Sequence, residues 1–250
     1  MTDHIDVTRQ GPVQIIRMNR PDKKNAITRA MYAAMAKALT EGDADASVRV
    51  HVILGVPGAF SSGNDLSDFM AVATGGEGGM EVYDFLLALA KSQKPLVSAV
   101  DGIAVGIGTT INLHCDLTFA TPRTEFRTPF VDLGLVPEAG SSLLAPAVLG
   151  RQQAFALLGL GEGFSAERAK AAGLIYAVVG EDELEAAALK AAEAIAAKPP
   201  EALKIARDLM RGDREDVVAR IKEEGTHFRA RLKSDEARQA FMAFMSRKKG

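Results

Sequence analysis

A single acid, Glu138, lies in the run Val136-Pro137-Glu138-Ala139-Gly140-Ser141-Ser142, directly after the apolar stretch Phe130-Val131-Asp132-Leu133-Gly134-Leu135. That stretch is apolar enough to be largely buried, and burying a carboxylate raises its pKa toward the range useful to a general base. The same pattern also fits a glutamate at a glycine turn with its side chain in water. Two further glycine-bearing turns, Phe60-Ser61-Ser62-Gly63-Asn64-Asp65 and Asp101-Gly102-Ile103-Ala104-Val105-Gly106-Ile107-Gly108, each follow a segment that reads as a strand. Glycine at a strand-to-helix turn lets backbone approach a ligand, and free amides at the helix start hold negative charge. Two such amides from different strands would make an oxyanion hole. Tight packing is the competing use of each run.

Other chemistries are disfavoured. Gly106-Ile107-Gly108 lacks the third glycine of a dinucleotide fingerprint, and no phosphate loop is completed. His4, His51, His114 and His227 are scattered without metal-ligand spacing, so structural or surface roles are expected and no metal or other cofactor is implied. Ser61, Ser62, Ser141 and Ser142 lack a nucleophile-elbow pattern and are expected to satisfy turn amides. Cys115, the one cysteine, reads as a buried reduced thiol. The 250 residues carry a net charge of −2, with 47% hydrophobic and 25% charged side chains, which gives no pull toward nucleic acid or membrane. The polar, acidic start has no secretory or transit character, so a cytoplasmic location is expected.

The elements that must position these residues follow from periodicity. Val13 to Met18 and Val48 to Leu54 read as strands around a helix from about Thr28 to Leu39, whose Met31, Met35 and Leu39 share a face. Strand, helix, strand implies parallel pairing in a helix-covered sheet. Pro95 to Val100 and Asp116 to Ala120 read as two more strands with a short helix between them, and Ala71 to Gly79 as a surface loop. From Arg151 onward the chain turns helical. Leu184, Ala188, Ala191 and Ile195 share a face, as do Leu203, Ala206 and Met210, and then Val217, Ile221, Phe228 and Leu232.

On these residues the chain resembles the crotonase superfamily, the enoyl-CoA hydratase/isomerase family. The resemblance starts at Asn19-Arg20-Pro21 and Asn25-Ala26 and runs through Ala59 to Leu66. It is strongest from Lys94-Pro95 through Asp101-Gly102 to Cys115-Asp116. It resumes at Phe126, Pro129, Leu133-Gly134 and Pro137, and ends at the helix with Phe241 and Phe244. It implies an α/β fold: a ββα spiral core over 1–195, then a C-terminal helical trimerisation region over 196–250. The implied partners are an acyl-CoA thioester and further copies of the chain, as a homotrimer or dimer of trimers, with a place in fatty-acid metabolism and β-oxidation. The two carbonyl-polarising amides fall at Asn64 and Ile107, where Ile107 replaces the usual glycine.

The departures from the family pattern are informative. Hydratases of this family carry two glutamates, and the corresponding positions here are Thr110 and Phe130, so hydration is disfavoured. Glu138 matches the catalytic glutamate of the peroxisomal-type 3-enoyl-CoA to 2-enoyl-CoA isomerases, and Thr128-Pro129-Phe130 and Pro137-Glu138 resemble that subgroup in particular. Such a reaction takes a proton from carbon 2 and returns one at carbon 4, which one base can do. Phe130 would keep the pocket dry, or simply pack in the core. By the same resemblance Lys24, Asn25 and Ala26 approach the CoA, with Ser62, Asp65 and Leu66 near the substrate. Phe228 and Phe244 would pack on the nucleotide and Arg247 meet its phosphates, although a solvated charge face explains 247–249 equally well. The rival readings are a hydratase or thioesterase that activates water with Glu138 or Asp65, and a non-catalytic acyl-CoA- or RNA-binding member of the fold.

Overall fold

The computed structural model describes residues 2–65, 67–68 and 80–247, with side chains to 243. Two sheets stacked in a spiral form the body. The larger has six strands: β1 (Ile5–Gln10), β2 (Val13–Met18), β3 (Val50–Leu54), β5 (Leu96–Val100), β7 (Leu117–Ala120) and β10 (Ala177–Val178), in that spatial order. All its pairings are parallel except the β1–β2 hairpin. The smaller joins β4 (Ala59–Ser61), β6 (Ile103–Val105), β8 (Glu125–Arg127) and β9 (Phe164–Ser165), with only β9 antiparallel. The expected α/β spiral with a helical C-terminal region is therefore present.

The reading of β2, β3, β5 and β7 holds to within a residue or two of each boundary. β3 and β5 are buried at every position, as strands covered on both faces must be. β1 was not read from the sequence: all but its first residue are exposed, so it lacks the apolar alternation that announces a strand. β4, β6 and β8 are three residues each; β4 and β6 overlap the glycine-bearing segments that read as turns, and β8 is too short to show a pattern.

Helix α1 (Arg29–Ala44) starts where the Thr28 hydroxyl accepts the Met31 amide at 3.3 Å, a side-chain cap of the usual kind. Its Met31, Tyr32, Met35 and Leu39 face α2 (Met80–Lys91) and the core, with the Tyr32 and Phe85 rings 5.5 Å apart. The four-residue α3 (Ile107–Thr110) follows β6. Then come α4 (Ser141–Leu149), α5 (Arg151–Leu158), α6 (Ala166–Ala172), α7 (Leu184–Ala196), α8 (Pro200–Arg211), α9 (Arg214–Leu232) and α10 (Asp235–Arg247). Helix α7 covers the far face of the larger sheet through Leu184, Ala188, Ala192 and Ala196, so the expected boundary at 195/196 falls inside its last turn. Helix α8 is anchored by polar contacts: Asp116 receives the Arg207 guanidinium at 2.9 Å and that of Arg211 at 3.1 Å. No helix among the described residues is long and apolar enough to cross a membrane.

Asn25 ties the early segments together. It is fully buried with a left-handed backbone, φ +52°. Its amide donates to the carbonyls of Met18, Ala59 and Phe60 at 3.0–3.2 Å, and its oxygen accepts the Arg20 amide at 2.7 Å. We expect Asn25→Ala to destabilise the fold by about 3 kcal/mol or more, because it strands several buried backbone groups and puts a Cβ-bearing residue less suited than Asn in that conformation. Urea denaturation of the variant against the parent measures this.

Candidate active site

The turn that carries Glu138 is held from four sides. Its own carboxyl accepts the Thr110 hydroxyl at 3.0 Å. The next residue, Ala139, has φ +64°, a left-handed conformation costly for a residue with a Cβ, and its carbonyl accepts His114 Nε2–H at 2.7 Å. Gly140, also left-handed at φ +70°, and Ser142 donate their amides at 2.6 Å and 2.9 Å to the two oxygens of Glu224. The Ser141 amide closes the turn onto the Glu138 carbonyl at 3.1 Å. Thr110 comes from α3, His114 from the turn after it, and Glu224 from α9, so three distant segments fix one acid.

Glu138 is 7% exposed and lines a cavity of about 150 Å³ whose wall also includes Tyr32, Asn64, Leu86, Glu224 and Phe228. Burial raises its pKa to about 8; the Thr110 hydrogen bond opposes this and the charge of Glu224 adds to it. The buried alternative in the sequence reading is therefore the one present, and the side chain faces the cavity. His114, buried beneath the turn, is held down at about 4 chiefly by desolvation, so it is neutral with its proton on Nε2 for Ala139. Tyr32 is raised well above its ordinary value by burial and by the charge of Glu138, and its hydroxyl donates to Asn64 Oδ1 at 2.5 Å.

Asn64 and Ile107 lie in the turns that follow two paired strands. Strands β4 and β6 pair in parallel, with Ser61 opposite Ala104, and both continue into the turns of interest. Gly63, φ +94°, passes so close that a Cβ there would lie 3.0 Å from the Val105 carbonyl oxygen; one at Gly108 would lie 2.7 Å from the Ser61 carbonyl oxygen. Only glycine lets these turns approach so closely. The amides around them are used: Gly63 donates to Ser61 Oγ, Asp65 to the Ile27 carbonyl and Gly106 to the Arg127 carbonyl. Among the described residues no acceptor meets the N–H of Asn64 or of Ile107. Ile107 itself is fully buried in the core and is not part of the cavity wall.

The remaining expected site residues divide. Asp65 and Phe228 line the cavity. Asp65 is occupied: burial would raise its pKa, but bonds from the Ser67 hydroxyl and the Arg20 guanidinium, the latter at 2.6 Å, outweigh burial and hold it at about 2. It is too weakly basic and too engaged to activate water. Phe130 is buried in the main core and lies outside the cavity wall, so its position is that of a packing residue. The Asn25 side chain is spent on backbone carbonyls, as above. Lys24, exposed with φ +49°, and Ala26 sit on the same turn, where the Lys24 carbonyl accepts the Ser62 amide at 2.9 Å and the Ala26 carbonyl accepts Arg20 at 2.9 Å. The Ser62 hydroxyl donates to the Lys23 carbonyl at 3.2 Å. Leu66, the loop over 71–79 and the side chains of Phe244 and Arg247 lie outside the described residues. Cys115 is half-buried, with its thiol pushed up to about 12 by burial. Among the described residues no group of His, Cys, Asp and Glu has metal-site geometry.

Sequence reasoning missed Tyr32, His114 and Glu224. A signal for Glu224 was available: it falls three residues after Ile221 and four before Phe228, so an acid interrupts the buried stripe of a helix. Tyr32 likewise sits inside the Met31–Met35 stripe, where a polar tip needs a partner.

The chain is thus an α/β spiral of two sheets with a buried acid, Glu138, in the wall of a small cavity that Asn64 also lines. Comparison places it in a family: residues 8–250 match the enoyl-CoA hydratase/isomerase family model, and the chain belongs to that family. It is 37% identical over 248 residues to enoyl-CoA delta isomerase 2 of Rattus norvegicus, covering 97% of this chain and 63% of that protein. The chain thus spans less than two thirds of the length of that relative. It is 30% identical over 256 residues to a probable enoyl-CoA hydratase of Rhizobium meliloti, covering 97% and 95% of the two chains. The solved structure of Pseudomonas aeruginosa OdaA superposes with a TM-score of 0.92 at 43% identity, covering 98% of this chain and 99% of that one.

The elevated pKa of Glu138 makes a stability prediction. Below about 4.5, its ordinary value, the carboxyl is neutral whether folded or unfolded; between there and about 8 only the folded chain keeps the proton. Stability should therefore fall as pH rises through that window and level off above it. Replacing Glu138 with Gln should remove this component, so the variant's melting temperature should exceed the parent's by a margin that grows from pH 5 to pH 8.

Proposed function

We propose that this chain is an enoyl-CoA isomerase that converts a 3-enoyl-CoA to the 2-enoyl-CoA, with Glu138 as its single acid/base. The thioester carbonyl accepts the N–H groups of Asn64 and Ile107. The Glu138 carboxylate takes a proton from carbon 2, the resulting enolate oxygen is held by the two amides, and the same carboxyl returns a proton at carbon 4. No water enters the balance of this reaction. Tyr32, bonded to the Asn64 side chain, orients that residue next to the forming charge.

The observation that carries this reading is the burial of Glu138 in the cavity wall with one hydroxyl donor and a pKa of about 8. A carboxyl near the working pH can both accept and return a proton. The relatives' names point to both isomerisation and hydration, so the residues must decide. Hydration by the family's two-glutamate route would need acids where Thr110 and Phe130 stand, and Asp65 is tied to Arg20. The 2-enoyl-CoA product suits a β-oxidation role, and the exposed Ile205, Leu209 and Met210 on α8 suit association into a homotrimer or a dimer of trimers.

The test supplies the purified protein with a 3-enoyl-CoA and, separately, a 2-enoyl-CoA. Conjugation of the first without hydration of the second is expected; rapid hydration of the second would overturn the assignment. Glu138→Gln should lower kcat by about 10²- to 10⁴-fold while CoA-ester binding, measured by calorimetry, persists. For the parent, kcat/KM should rise with pH and level off above about 8, the value of the free enzyme's Glu138.

A further inference from the structure

We propose that Glu224 is a positioning residue that sets both the place and the basicity of Glu138, so that helix α9 of the C-terminal region controls proton transfer at the active site. The inference rests on the proposed role of Glu138 as the base. Glu224 is 5% exposed and lines the same cavity. Each of its oxygens accepts a separate backbone amide, Gly140 at 2.6 Å and Ser142 at 2.9 Å. Those amides are orphan donors at the start of α4, two and four residues beyond Glu138. The bonds therefore hold the glycine end of the turn, while His114 holds the Ala139 carbonyl. With both oxygens engaged, Glu224 is poorly placed to carry a proton itself and well placed to act through its neighbour.

A helix cap in a structural role could be any short polar residue, and caps are ordinarily supplied from the chain next to the helix start. Here the cap reaches in from α9, 82 and 84 residues away in sequence, and brings a second carboxylate into the wall that holds Glu138. Two acids sharing a low-dielectric cavity raise the cost of ionising one another. The other groups facing Glu138 are Tyr32 from α1 and the Thr110 hydroxyl, with neutral His114 under the turn. Farther along the cavity Arg29 is paired with Glu81 and Asp65 with Arg20, while Asp68, Tyr83 and Arg229 complete the charged and titratable lining. Glu224 is the acid that the geometry couples directly to the catalytic turn.

The experiment follows the carboxyl carbon of Glu138 by ¹³C NMR titration of the folded, glutamate-labelled protein without substrate, with Glu138→Gln identifying its signal. Glu224→Gln keeps the shape and one acceptor but removes the charge, and should lower the Glu138 midpoint by about half a pH unit or more. Glu224→Ala removes both tethers and should lower kcat on a 3-enoyl-CoA by about tenfold or more with KM changed far less. If Glu224→Ala does not fold, Glu224→Gln, which is isosteric, decides. A folded Glu224→Gln whose Glu138 midpoint and kcat match the parent's overturns the proposal. A midpoint that moves in a protein inactive on 3-enoyl-CoA sustains the Glu224 coupling and sinks the assigned reaction, because the titration needs no substrate.

Discussion

An ionisable carboxyl placed in a protein interior with one neutral donor is a costly arrangement, because nothing nearby compensates the loss of water around its charged form. Other acids avoid that cost by pairing: the buried Asp65 with Arg20 and Asp101 with Arg123, and the half-buried Asp116 with Arg207. Glu138 has only the Thr110 hydroxyl and a second acid close by, and much of the surrounding structure can be understood as holding it there. The left-handed Ala139 is costly locally, and the bonds from His114 and to Glu224 at the start of α4 hold that turn in place.

The constraint reaches through the whole chain. The spiral brings β4 and β6 side by side, and the glycines at 63 and 108 let the turns that follow pass close to the neighbouring backbone. Glu138 comes from a third turn, more than thirty residues beyond Ile107 in sequence, and the tether of that turn from the helical C-terminal region. The anchoring of α8 through Asp116 also reaches the site, since Arg211 bonds the carbonyl of His114, whose ring supports Ala139. Core, helical region and site are thus linked by hydrogen bonds, and the family match likewise runs over residues 8–250.

How much of this was legible in sequence depends on the physical signal involved. Buried parallel strands such as β3 and β5 show as short, largely apolar runs, and the stripes of α7 and α9 show as helical periodicity. β1 and the three-residue strands of the smaller sheet leave no such trace. Glu138 stood out as a lone acid in an apolar, glycine-bearing turn, while the amides at Asn64 and Ile107 were implied by the family resemblance. The roles of Thr110, His114 and Glu224 were not legible, because a hydroxyl, an imidazole and a carboxylate brought together by the fold have no mutual spacing in the chain. For Phe130 the sequence left open a pocket-drying role or core packing, and its ring lies in the core.

The account stands or falls on where a substrate sits, and a crystal structure with a non-reactive 3-enoyl-CoA analogue tests that directly. The thioester oxygen should lie 2.7–3.1 Å, roughly, from both the Asn64 and Ile107 nitrogens, with a Glu138 oxygen about 3–3.5 Å from carbon 2 and similarly near carbon 4. A thioester turned away from that amide pair, or an ordered water between Glu138 and carbon 3 of the acyl chain, would contradict it.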